Sequence, residues 1–78
     1  MKNLYEDSEI KIQSTEKDYD FICTVENKTE RAIMIVFEGE YEYLENIIIA
    51  PKDWIGILAD ENGRDTVKAF EKECFYKI

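Results

Sequence analysis

The chain has 78 residues, 36% of them charged, with 18 acids against 10 bases and a formal net charge of −8. That length allows one domain, and that charge excludes a direct grip on nucleic acid or an anionic membrane, because phosphate groups demand a basic footprint. Apolar residues make up 45% of the chain and ten are aromatic, too many for a disordered polymer.

The first ten residues, MKNLYEDSEI, mix charges with apolar side chains and contain no apolar core of a signal peptide. No stretch of the sequence is long and apolar enough to span a bilayer. The expected location is cytoplasmic, with Cys23 and Cys74 reduced and their pairing left open. EIKIQ (9–13) alternates, with Ile10 and Ile12 on one face, and reads as a half-buried strand. STEKD (14–18) is turn material. DYDFICTVEN (18–27) alternates again, placing Tyr19, Phe21, Cys23 and Val25 on one side, and NKTE (27–30) reads as a hairpin connection.

RAIMIVFEGEYEY (31–43) carries apolar or aromatic side chains at Ile33, Ile35, Phe37, Tyr41 and Tyr43. Its even positions start apolar at Ala32, Met34 and Val36, then switch to Glu38, Glu40 and Glu42. As a strand it would be covered on both faces in its first half and on one face in its second; Gly39 allows a bulge or turn instead. NIIIAP (46–51) is a second strand apolar on both sides. PKDWIGILAD (51–60) spaces Trp54, Ile57 and Leu58 as on a short helix, although alternation through 54–59 also allows a strand. NGRDTVKAFEKE (62–73) reads as a helix with Asn62 as N-cap and Val67 and Phe70 inward, and CFYKI (74–78) as a last short strand.

The expected fold is therefore α+β: a single domain over 1–78, with a four- to five-stranded, mostly antiparallel curled sheet and one or two short C-terminal helices. Central strands apolar on two faces need two covers. Helices supply one, and the sheet's own curl or another molecule must supply the other.

Catalytic chemistry is thinly represented. The absence of histidine removes Ser–His and Cys–His pairs. The two cysteines lack CxxC companions, which argues against zinc. DENGRD (60–65) has its glycine at the fourth rather than the sixth position of a calcium loop and reads as a turn and helix cap. The three glycines are too scattered for a phosphate loop. The expectation is a non-enzyme with no cofactor and no metal.

The remaining signal is FEGEYEYLE (37–45), in a stretch from Ala32 to Pro51 without lysine or arginine. On an extended strand Glu38, Glu40 and Glu42 would stand about 6.7 Å apart in a one-sided row. Glu38, Glu40, Glu42 and Glu45 would supply a negative field, and Tyr41 and Tyr43 contact area with little rotamer entropy. Asp18 and Asp20 would extend the patch. Small, acidic, histidine-free domains with charged strips resemble in kind the phage inhibitors (anti-CRISPR or anti-restriction-like nucleic-acid mimics) that occupy basic clefts of host nucleic-acid enzymes.

That resemblance implies an acidic binding module. Its partner would be a protein with a basic surface, such as a nuclease or other nucleic-acid-binding protein, with no direct nucleic-acid or membrane contact. The alternative is a self-associating β-rich structural domain, a homodimer held by Ile33, Ile35, Ile47 and Ile49.

Overall fold

The chain crosses directly between two antiparallel sheets twice, both times at the same corner, and a third time through a helix. The structure, a computed structural model, describes residues 2–15 and 20–78. Strands β1 (Asn3–Glu6), β2 (Ile10–Ser14) and β3 (Phe21–Asn27) form a meander. The chain then leaves for β4 (Ile33–Phe37) and β5 (Ile47–Ile49) of the second sheet, and returns as β6 (Trp54–Leu58) to pair with β3. Helix α1 (Glu61–Glu71) follows, and β7 (Phe75–Lys77) pairs with β4. The sheet orders are β1-β2-β3-β6 and β5-β4-β7.

Alternation along the strands produces one shared core. Ile10, Ile12, Cys23, Val25 and Ile57 from the first sheet meet Ile33, Ile35, Phe37 and Ile49 from the second, and α1 adds Ala69 and Phe70. Phe70 sits between Phe37 and Phe75, with ring centroids at 5.6 and 5.4 Å. A fully buried phenylalanine of this kind is worth about 3–5 kcal/mol against alanine. Cys23 is free, and burial pushes its thiol up to about 12; Cys74 is also free.

The corner is held by one buried side chain. The Asn27 amide nitrogen donates to the carbonyls of Arg31 (2.7 Å), Ile49 (3.1 Å) and Ala50 (3.1 Å). Its carbonyl accepts from the backbone N–H and hydroxyl of Thr29 at 2.9 and 2.7 Å. Both crossings, 28–32 and 50–53, are thereby satisfied from a single residue that has no exposed surface. Lys52, with φ 58, adds an N–H bond to Thr29 O at 3.0 Å.

A charge cluster ties the last strand to the first turn. Lys77 donates to Asp7 and, at 2.8 Å, to Glu9, which also receives Arg31 at 2.6 Å. Burial pushes the Asp7 carboxyl up. Hydrogen bonds from Lys77, from the N–H groups of Ile10 and Glu9 and from the Tyr5 hydroxyl outweigh it and hold Asp7 well below the usual carboxylate range.

The chain is an α+β domain, as expected, but its strands divide between two sheets. Among the described residues there are seven strands and one α-helix. The N-terminal strand β1 was not expected. NKTE is no hairpin, because β3 and β4 lie in different sheets. The short helix expected over 51–59 is strand β6: pairing with β3 wins over helical spacing, sending Ile55 and Ile57 inward and leaving Trp54 and Leu58 exposed. A register shift between Phe21 and Cys23 turns Phe21 to the outer face, where its ring meets Trp54 edge-on at 6.1 Å.

Helix α1 is capped by Asp60 rather than Asn62, through a 2.7 Å bond from the Gly63 N–H. Gly63 allows the helix to press on the end of β6, since a Cβ there would stand 1.8 Å from the Leu58 carbonyl oxygen. Asp18 and Tyr19 lie outside the described residues.

Replacing Asn27 by alanine strands buried carbonyls and is expected to lower the unfolding free energy by about 3 kcal/mol, measured by urea denaturation. The depressed Asp7 carboxyl contributes stability that is present above its ordinary value of 3.8 and lost as pH falls below it. The urea midpoint should therefore drop between about pH 5 and about pH 2, with Asp7→Asn less stable at neutral pH and less sensitive to acid.

Candidate partner-binding surface

Strand β4 stops at Phe37, so the row of glutamates does not run along a strand. Gly39 takes φ 66, a left-handed conformation that favours glycine, and Gly39–Tyr41 forms a single 3₁₀ turn. The turn continues through N–H bonds from Glu42 to Gly39 O (3.2 Å) and from Leu44 to Tyr41 O (3.0 Å). Apolar burial decides this over continued extension: Tyr41 and Leu44, three residues apart, enter the core at 6% and 8% exposure.

The glutamates consequently diverge. Glu40 is bound by Lys72 at 3.0 Å, which holds its carboxyl below the usual range, and the same ammonium lies 5.5 Å from the centre of the Tyr41 ring. The expected role of Tyr41 as a contact residue conflicts with its burial, and Glu40 is locally neutralised. Glu38, Glu42 and Glu45 are exposed, and among the described residues none of them forms an ion pair. Tyr43 is 59% exposed and donates its hydroxyl to Asp65 on α1. That bond, helped by partial burial, pushes the Tyr43 phenol up to about 12.

Tyr43 and Glu45 also line an open groove of about 460 Å³. Leu44 and Ile47 form one wall, residues 56–58 another, and Asp60, Asn62, Gly63 and Thr66 at the start of α1 a third. Its charged lining groups are Glu45 and Asp60, with no base. One Asp60 oxygen is occupied by the Gly63 N–H, leaving the other free among the bonds described. The groove thus pairs an apolar floor with carboxylates and an aromatic rim, which suits the stem and head of an arginine or lysine.

Sequence spacing pointed to Tyr43 and Glu45 but not to Asp60 or Asp65, which come from a helix start 15 to 22 residues further on. DENGRD, read only as a cap, carried that signal. A second surface was also missed. Trp54 borders a shallow depression of about 260 Å³ with Lys11, Gln13, Thr24 and Glu26 on the outer face of the first sheet. Among the described residues no three cysteine, aspartate or glutamate side chains converge as metal ligands, and no helix is long and apolar enough to cross a membrane. Compared with protein-family models, curated proteins and solved structures, the chain matches none.

If Asp65 is what holds the Tyr43 phenol, Asp65→Asn should bring its titration back toward the ordinary value of 10. Following the Tyr43 ring resonances by NMR against pH measures this directly.

Proposed function

We propose that this protein is a non-enzymatic acidic binding module that docks on a basic surface of another protein, in the manner of phage-type inhibitors that block nucleic-acid enzymes. The supporting observation is the groove in which Glu45 and Asp60 face an apolar floor without a lysine or arginine among its lining residues. A basic side chain entering it would lay its stem on Leu44, Ile47 and Leu58 and its head between the carboxylates. Glu38 and Glu42 add field from the adjoining loop, speeding encounter and selecting partners by charge. The expected partner is a cytoplasmic nucleic-acid-binding protein whose cleft is built for phosphates. The chain needs no cofactor for this role.

Capture from a bacterial lysate at low salt, comparing the wild type with a Glu38→Lys, Glu42→Lys, Glu45→Lys variant, tests the reading. The expected result is that the wild type retains nucleic-acid-binding proteins, that duplex DNA or RNA competes them off, and that the variant does not retain them. Affinity for a captured partner should fall at least about tenfold between 50 and 200 mM salt, as screening shortens the range of the field. Equal capture by both proteins, or affinity indifferent to salt, would overturn it.

A further inference from the structure

Two strand edges stand open where the sheets part. Among the described residues β5 pairs only with β4 and β6 only with β3, so each is the last strand of its sheet. They join at the 50–53 corner and diverge from it, with Ile47 and Leu58 at their far ends. The acid-lined groove fills this gap. It touches Ile47 and residues 56–58 but no residue of β3, so it runs along the free edge of β6.

The ladder fixes which backbone groups face that groove. The Asn27 N–H donates to the Asp53 carbonyl at 2.8 Å, and pairing stays in register from Glu26 opposite Trp54 to Cys23 opposite Ile57. Hydrogen-bonded pairs alternate along an antiparallel ladder, so Ile55 and Ile57 turn their backbone groups toward β3 while Trp54 and Gly56 turn theirs away. The Trp54 N–H is taken by the Asp53 side chain at 2.8 Å. The N–H and C=O of Gly56 are left on the groove side, with no side chain of their own to screen them. The strand itself, WIGIL, carries neither a charge nor a proline, two devices that keep exposed edges from pairing.

We infer that this edge takes up an extended, basic segment of the partner protein as an added strand, bonded backbone to backbone with β6. The inference rests on the groove reading above and specifies how the partner is held. Charge selects the occupant. A second copy of this chain would bring its own Asp53 and Asp60, and a net charge of −8, to a groove whose charged lining groups are Glu45 and Asp60. A segment with lysines or arginines brings the opposite charge. Alternate side chains of an extended segment point to opposite faces, so one set lies on the apolar floor of Leu44 and Ile47 while the other carries the basic heads. An added strand that matches β6 is about five residues, or roughly 17 Å, long.

Backbone bonding of this kind reads no side chain, so selection falls to alternation and charge. Capped pentapeptides alternating arginine and valine are the probe, titrated to about 10 mM into isotope-labelled protein and followed by NMR. The expected result is a downfield shift of the Gly56 amide proton as it gains an acceptor, larger than the shifts of Ile55 and Ile57, whose N–H groups already bond to β3. Two backbone-methylated versions carry their methyl groups on the arginine nitrogens or on the valine nitrogens, with charge and side chains unchanged. Only one of these sets can face β6, so one version should bind at least about tenfold more weakly than the other. The peptide is varied rather than Gly56 because a Cβ there would run into the Phe21 ring.

Binding that moves Tyr43 and Thr66 but not the Gly56 amide, or equal affinity of the two methylated peptides, would overturn the added strand and leave the acidic groove standing. No binding at that concentration would also overturn it, while the groove reading still answers to capture and salt. A peptide with glutamine in place of arginine that bound as tightly would remove the role of charge, and the groove reading with it.

Discussion

Everything in this fold depends on a polar group in an apolar corner. A chain that leaves one sheet for another must bury backbone carbonyls at the crossing, and a buried carbonyl without a donor costs about 1–3 kcal/mol. Here the two crossings are adjacent, and the Asn27 amide serves carbonyls from both. Because its own oxygen is taken by Thr29, no buried side-chain polar atom is left without a partner among the described residues. The same bonds fix where β4 and β5 begin and end relative to the first sheet. They thereby set which face of those strands meets the core, and at which end the acidic loop emerges.

Residue alternation made much of this legible. Ile10 and Ile12, Cys23 and Val25, and Ile33, Ile35 and Phe37 all point inward as their spacing implies. What spacing could not give is how strands are shared out. The apolar even positions of 31–43 suggested a doubly covered strand, but Met34 and Val36 lie on an open face, while Ile33, Ile35 and Ile49 are spent on the chain's own core. Self-association, if assigned to those buried isoleucines, would require unfolding. The span of β6 reads from sequence as either helix or strand, because Trp54, Ile57 and Leu58 fit a helical stripe while 54–59 also alternates, and only the long-range partner β3 decides for the strand. The acidic row failed for a related reason: Tyr41 and Leu44 gain more by turning into the core than the chain gains by extending strand β4.

The surface that results is divided by chemistry. Carboxylates, a tyrosine and a concave apolar floor gather where the 38–45 loop meets the start of α1. The outer face of the second sheet carries Met34, Val36, Ile48 and Tyr76, none with a charged side chain. Long-range fields act at the first and short-range apolar contact at the second. Such a division needs rigid placement, and the Lys72–Glu40 ion pair and the Tyr43–Asp65 bond fasten the loop to the helix from both sides.

The position of β7 has a consequence for biosynthesis. It supplies Phe75 to the central aromatic cluster, pairs with β4 some forty residues earlier, and brings Lys77 back to Asp7 across 70 positions. While a ribosome still holds these residues in its exit tunnel, the second sheet is a bare hairpin and Phe70 lacks one of its ring neighbours. Such non-local closure delays the cooperative step until that segment has emerged.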